Sequence, residues 1–373
     1  MKNLFASLSI AVASFDASAT APTYDVVRLV PPHTVHVDGW SVNGLNASGV
    51  IVGGNFNYAF RGTVALGFRQ IRADPALSQY ASVDGVDDAG NAAGSDYFNF
   101  PTRTATLFPR FGPAQDLGAL IPEADFSVAS SMSRGGQVAG HYEATVNRRR
   151  VDAAFVWSAS GGIQRIGDTL QGDYTYAYGV NDAGHVVGLH DSRQSAAFFW
   201  SQDGGLVDIP GSIIAYAVND RDEVVGQALA SNRADAAVAF LQASGSATVR
   251  MPRPADTTGS CYAADINALS QVVGGCVSQI AGTINHAVLW WPDAGTYSVE
   301  DLTAQLGVDE PRLREKCSSL DDNGLGEIDY RAVATNAVGQ ILVQIDCNFV
   351  AEGGASRLGF ESLLLTPQAI DRR

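Results

Sequence analysis

The sequence predicts an all-β fold: a single seven-bladed β-propeller of four-stranded blades, its last blade closed by the N-terminal strand. Three observations predict it. One short phrase recurs seven times, apolar strands follow each copy in units of about forty residues, and the two chain ends carry complementary parts of one unit.

The phrase is a small-residue strand, an Asn or its substitute, a Gly three residues later, and an apolar strand ending in Gly. The copies begin at Leu45, Val86, Met132, Val180, Val218, Ile266 and Thr335. The Asn position is Asn46, Asp87, Ser133, Asn181, Asn219, Asn267 and Asn336; the Gly position is Gly49, Gly90, Gly136, Gly184, Asp222, Ser270 and Gly339. This is the chemistry of a tight β-hairpin, in which Asn, Asp or Ser bonds the turn backbone and Gly takes the left-handed conformation. Asp222 and Ser270 stand where Gly is preferred, so those two turns are expected to be slightly strained or of another type.

An apolar-aromatic strand follows each hairpin, as in Ala59 with Phe60, Leu107 with Phe108, Phe155 to Trp157, Phe198 to Trp200, Phe240 with Leu241, Val288 to Trp291 and Leu363 to Leu365. A fourth strand follows most of these, for example Gly162 to Ile166, Gly205 to Ile209 and Tyr297 to Leu302. Four short strands per unit suit a blade that buries its faces only against its neighbours. The last copy has three strands and then stops, while Tyr24 to Val30 stands as a spare strand before the first copy. Completing the last blade with that strand would remove the open edges of the array.

Lys2, the apolar run from Leu4 to Phe15 and the small residues Ala17, Ser18 and Ala19 are the pattern of a secretory signal peptide over residues 1–19. The propeller is then expected over 22–373, with an insertion at 303–330 between the sixth and seventh blades, exported to the periplasm or outside the cell. No other stretch is apolar enough to span a membrane. The net charge is −15, and Lys2 and Lys316 are the only lysines. An acidic surface makes nucleic acid and anionic lipid poor partners. A monomer is expected.

Four cysteines in an exported chain suggest two disulfides. If the sixth hairpin closes at Ser270, Cys261 and Cys276 lie opposite one another on adjacent strands. Cys317 and Cys347 would then pin the insertion to the last blade. A metal site is the alternative, without Cys-x-x-Cys spacing or a His cluster to support it.

The phrase from Val180, with Ala196 to Trp200 and Gly204 to Ile209 after it, resembles the bacterial extracellular HAF-repeat family, most strongly between Gly136 and Trp290. His286, Ala287 and Val288 come nearest to the His-Ala-Phe triplet; Ala154 with Phe155 and Ala197 with Phe198 keep its last two members. The resemblance implies an exported, propeller-like repeat array and supplies no mechanism.

No linear catalytic signature is present. His185 and His190, five apart on one strand, face opposite ways and cannot jointly hold a metal without a bend. No cofactor is expected, with calcium as a weak candidate at Asp321, Asn323 and Asp329, whose loop lacks a fifth-position ligand and a closing Glu. Aromatic residues recur where the chain enters each first strand: Trp40, Tyr80, Phe126, Tyr176, Tyr262 and Tyr330 lie five to seven residues before the turn residue, and Tyr216 three before. They are expected to surround the channel on the face opposite the tight turns, where they could stack on sugar rings; the alternative is packing between blades. The loops leaving the second strands reach the same face with Tyr97, Phe98 and Phe100, with His141, Tyr142, Arg148, Arg149 and Arg150, with His190, Asp191 and Arg193, and with Arg233. The three consecutive Arg suggest a contact with an anion or carboxylate, the alternative being a solvated loop.

The expected function is a noncatalytic exported binding propeller presenting this aromatic, Arg-bearing face to a glycan or cell-surface protein. Two alternatives stand beside it: a polysaccharide-acting hydrolase or lyase, and a purely structural surface module. Catalysis would require convergent carboxylates, or a His with a carboxylate, near the channel mouth.

Overall fold

The computed structural model describes residues 22–30, 40–54, 58–72, 81–99, 102–167, 174–191, 195–230, 236–278, 283–321, 326–351 and 354–368. Residues 1–19, expected to be a signal peptide, lie outside these residues, as do Tyr80, Phe100, Arg193, Arg233 and Asn323.

Each repeat folds as an antiparallel meander. The first runs through Ser41–Leu45, Ile51–Gly54, Ala59–Thr63 and Gly67–Ile71, and the second, fifth and sixth repeats form four-stranded sheets of the same order. The seventh consists of Glu327–Thr335, Ile341–Ala351 and Gly354–Pro367, with Tyr24–Arg28 as its fourth strand. That strand pairs antiparallel from Tyr24 opposite Pro367 to Arg28 opposite Leu363, so the N-terminal strand closes the last sheet as expected. An Arg28–Glu361 ion pair at 2.9 Å reinforces the seam.

The expectation of seven separate blades is corrected. Five four-stranded sheets stand alone, while the third and fourth repeats share one eight-stranded sheet. The cause is a length mismatch. Arg149–Ser158 is twice as long as its partner Gly162–Ile166, and the stretch beyond that partner, at Asp152, pairs in parallel with Tyr174 of the following repeat.

The hairpins explain the recurrent Asn. The Asn46 side-chain oxygen accepts the backbone N–H groups of Ser48 and Val50, which holds the turn. Its amide donates to the carbonyl of Asp87 in the next repeat at 2.8 Å. The same reach runs from Asn181 to the Asn219 carbonyl, Asn219 to Asn267, Asn267 to Asn336, and Asn336 back to Asn46. Two links are made differently because Asp87 and Ser133 carry no amide to donate. There, Asp88 N–H bonds the Arg134 carbonyl, and Gly135 N–H bonds the Asp182 carboxylate.

Asp222 and Ser270 keep the turn of their Gly counterparts, with φ of 57° and 56° against 75° at Gly49. Their side chains offset the strain. Asp222 accepts from the Asn181 amide at 2.9 Å and pairs with His185 Nδ1 at 2.7 Å, and the Ser270 hydroxyl donates to Glu223.

The Gly ending the phrase has a packing cause. A Cβ on Gly53, Gly140 or Gly188 would sit 1.9–2.1 Å from a first-strand carbonyl oxygen and 2.8–2.9 Å from the ring of Phe60, Phe155 or Phe198 respectively. The phrase Gly and the Phe of the third strand are therefore one packing unit. The core lies between repeats, as blade stacking requires. One cluster joins Val225, Ala239 and Leu241 of the fifth to Cys261, Val272 and Trp290 of the sixth.

Cys261 and Cys276 face each other in register and form a disulfide. A second disulfide joins Cys317 to Cys347. Within the expected insertion, Glu310–Leu320 is a helix capped by the Asp309 side chain and begun with Pro311, which buries Leu313 and Cys317 against the last sheet.

Candidate binding site: the central channel

A β-bulge interrupts every first strand three residues before its turn residue. Pairing skips Asn43, Asp84, Ser130, Tyr178, Tyr216, Ala264 and Val333 in turn. A bulge sets two residues opposite one and turns the extra side chain off the ladder. All seven bulged residues are half-buried, and all line one central cavity of about 330 Å³. The repeat thus builds a ring whose backbone is uniform and whose side chains differ.

Two members of the channel wall, Tyr178 and Tyr216, are tyrosines in successive repeats, and Tyr262 of the next repeat packs against the second. The rings of Tyr178 and Tyr216 lie 6.0 Å apart, and those of Tyr216 and Tyr262 lie 6.4 Å apart. Burial pushes the Tyr178 and Tyr216 hydroxyls above the usual phenol range, so both remain hydrogen-bond donors.

Two carboxylates stand in the same wall. Burial pushes Asp84 up to about 6 against the opposing influence of Arg103 and Ser82. It pushes Asp265 up to about 7, although that carboxylate accepts the backbone N–H groups of Ile266 and Thr335, each at 2.8 Å. Asp84 belongs to the second repeat and Asp265 to the sixth, with the seventh and first between them around the ring. They do not form a neighbouring acid–base pair, and both oxygens of Asp265 are engaged by backbone.

Toward the loop end, His141 stands between Phe126 and Tyr176, whose ring meets it edge-on at 4.8 Å. Tyr176 stacks on Tyr174 at 6.5 Å with 13° between planes. Burial, helped by Arg103, pushes His141 down to about 4, so the imidazole is neutral at ordinary pH. Its Nδ1 is buried without a hydrogen-bond partner among the described residues.

The aromatic entries divide by parity. Trp40 and Tyr330 lie six residues before their turn residues, and both are in the core, Trp40 against Phe60 and Phe68. Tyr176 and Tyr262 lie five before and are half-buried. Alternate residues of a strand face opposite ways, so the even offset turns a ring into the blade stack and the odd offset turns it to the other, less buried face of the strand. Trp40 and Tyr330 are therefore not offered to a ligand as expected. Nor is Tyr142, which is buried among Val138, Val151 and Phe155.

The Arg run is divided in its use. Asn147 and Arg148, with φ of 52° and 65°, form the two-residue tip of a hairpin, and Arg148 is exposed there. Arg150 is committed to Asp152 at 3.0 Å and Glu143 at 3.0 Å. The backbones of Arg149 and Tyr97 are in strands, but their side chains lie outside the described residues. His190 bonds Asp208 at 2.9 Å within its own repeat while His185 reaches the next one, consistent with their opposite facing; Asp191 is half-buried opposite Tyr174. Of the calcium candidates, Asp321 follows the helix, and Asp329 is buried, accepting from the Asn285 amide and lying 3.7 Å from Arg331. Among the described residues no group of three or more His, Cys, Asp or Glu could hold a metal, and no helix is long and apolar enough to cross a membrane.

The bulge ring was absent from the sequence reading. Its signal was present in Asn43, Asp84, Ser130, Tyr178 and Tyr216, polar or amphipathic residues three before each turn, where alternation alone would not have separated a channel-facing position from a ladder position.

No protein-family model matches the chain, and no curated protein does. Among solved structures it is similar to the putative TolB from Agrobacterium tumefaciens, with 14% identity and a TM-score of 0.41 over 57% of this chain and 79% of that one. It is also similar to the acylaminoacyl peptidase of Pyrococcus horikoshii, with 9% identity and a TM-score of 0.49 over 83% of this chain and 51% of that one. A puromycin hydrolase gives 12% identity and a TM-score of 0.31 over 88% and 59%. The chain spans about half the length of the peptidase. These likenesses carry no argument about activity.

Proposed function

We propose that the chain is an exported binding propeller whose central channel takes in the end of a neutral glycan without cleaving it. The observation that carries this reading is the pair Tyr178 and Tyr216 on the channel wall, with Tyr262 packed against Tyr216 and the His141, Tyr176 and Tyr174 rings beyond the cavity toward the loop end. Sugar rings present an apolar face and a polar rim, and tyrosine offers a ring face and a hydroxyl in the same way. A channel of about 330 Å³ admits one or two sugar rings rather than a folded partner. The net charge of −15 favours a neutral ligand over an acidic one. Against the hydrolase or lyase alternative stands the separation of Asp84 from Asp265, the latter tied to backbone.

In this reading the eight-stranded sheet acts as two blades joined at one bridge, giving seven repeats around the channel. Residues 1–19 serve as the export signal, two disulfides suit the oxidising compartment beyond it, and the chain is a divergent HAF-repeat protein. The protein with intact disulfides, screened on a glycan array, should bind a limited set of neutral glycans. Tyr178→Ala and Tyr216→Ala should each weaken binding about fivefold or more, since a stacked aromatic contributes about 1 kcal/mol. Binding unchanged in both variants would refute the channel as the site. Turnover of a bound glycan would refute the noncatalytic reading.

A further inference from the structure

The sixth repeat holds a side-chain arrangement that the channel does not use. Ser278 ends the second strand, His286 begins the third, and Asp301 ends the fourth. The Ser278 hydroxyl lies 2.7 Å from His286 Nε2, and His286 Nδ1 hydrogen-bonds Asp301 Oδ2. Because a carboxylate only accepts, Nδ1 carries the ring proton and Nε2 is left to accept from the serine. Asp301 is in turn positioned by Thr303, whose backbone N–H donates to Oδ1 at 2.8 Å. Burial would raise the Asp301 carboxyl, but the bonds from His286 and Thr303 hold it below its usual range.

From these contacts we infer that Ser278, His286 and Asp301 form a nucleophilic centre for hydrolysis of small carboxylic esters, separate from the channel. A hydroxyl on one imidazole nitrogen and a positioning carboxylate on the other is the arrangement that activates serine. The surroundings keep it in place. His286 is 3% exposed and sits opposite Cys276 across the strands, and Cys276 is bonded to Cys261, so the base is next to the stapled part of the blade. Ser278 is only half-buried and lies at the end of its strand remote from the Asn267 turn, on the loop face. Among the described residues His185 and His190 each pair with a carboxylate, but neither shows a hydroxyl on its other nitrogen.

In the reaction, Ser278 Oγ bonds the ester carbonyl carbon while its proton passes to His286 Nε2. The tetrahedral adduct expels the alkoxide, which takes that proton and leaves as alcohol. Water then attacks the acyl-serine by the same route, so ester and water yield acid and alcohol and the centre is regenerated.

The test uses the full exported protein with its disulfides formed, p-nitrophenyl acetate as substrate and a fluorophosphonate as covalent probe. Expected is saturable ester hydrolysis, with a single phosphonyl adduct on the peptide containing Ser278. Ser278→Ala should remove the adduct and lower the hydrolysis rate about 100-fold or more, while leaving glycan binding intact. Asp301→Asn should slow labelling and move the pH–rate profile, and Asp301→Glu should restore part of the rate. Either of two results would overturn the assignment: hydrolysis and labelling unchanged by Ser278→Ala, or no adduct in the parent protein. A lowered melting temperature in Ser278→Ala with no activity in the parent would make the trio a structural tie instead.

Discussion

Removing the Asn336 side chain tests whether the turn ring holds the propeller closed. Asn336 joins the seventh repeat to the first through its amide bond to the Asn46 carbonyl at 2.9 Å, and that amide also reaches Gln340 Oε1 at 2.8 Å. Its oxygen accepts from Val338 N–H at 3.2 Å and Gln340 N–H at 3.0 Å. Val338 is exposed at the turn, so water can replace those two bonds at a cost of about 0.5 kcal/mol each. Asn46 is 2% exposed, so its carbonyl loses a buried partner, which costs about 1–2 kcal/mol. Asn336→Ala should therefore destabilise by about 2–3 kcal/mol. With a urea slope of about 3 kcal/mol/M for a chain of this size, the midpoint of unfolding followed by tryptophan fluorescence should fall by about 0.7–1 M. A fall of less than about 0.2 M would refute the ring as a closing element and leave the Tyr24–Arg28 strand to close the propeller alone.

The converse change is Ser133→Asn, which supplies a missing amide beside Gln137, the counterpart of Gln340. It should raise stability by about 0.5–1 kcal/mol, and a lowered urea midpoint would contradict the link. Gly188→Ala would place a Cβ 1.9 Å from the Tyr176 carbonyl oxygen and 2.9 Å from the Phe198 ring; it should cost more than about 3 kcal/mol, read as loss of soluble protein or a strongly lowered melting temperature. Burial holds Asp84 at about 6 in the folded protein, above its ordinary value of 3.8, so the native state binds the extra proton and this group's contribution to stability declines as pH rises from about 4 to about 6. Asp84→Asn removes that contribution. The difference in urea midpoint between parent and variant should change across this pH range, and a constant difference would count against the raised carboxyl.

Much of the fold was legible because turn chemistry is local. Asn46, Gly49 and their counterparts specify a hairpin from neighbouring backbone groups alone, and the register of the sixth hairpin followed from its turn closely enough to pair Cys261 with Cys276. Closure of the last sheet by Tyr24–Arg28 was legible from strand counting. The merging of the third and fourth repeats was not, since it depends on Arg149–Ser158 running past a shorter partner, and strand ends are poorly marked in sequence. The helix Glu310–Leu320 was also missed, although Asp309 and Pro311 are ordinary start signals, because the region read only as an insertion between repeats.

Two of the expected ligand-facing aromatics are turned into the core, and the reason lies in the strand's alternation. Grouping the aromatics by distance from the turn, five to seven residues, mixed two faces of the same strand, and Trp40 and Tyr330 fell on the buried one. Parity then assigns the five-before position to the less buried face, but parity alone would continue through the three-before position as an ordinary ladder residue. The bulge alters this. It releases that residue from pairing in every repeat, which frees its identity from the demands of the sheet while the turn ring two or three residues later keeps the backbone uniform. A position fixed in space and unconstrained in chemistry is where a repeat protein can diversify. The seven residues there include Asn, Asp, Ser, Tyr, Ala and Val. The two tyrosines stand side by side on one side of the channel, the second backed by Tyr262, and this asymmetry in an otherwise regular ring is the reason to seek the ligand beside the fourth and fifth repeats.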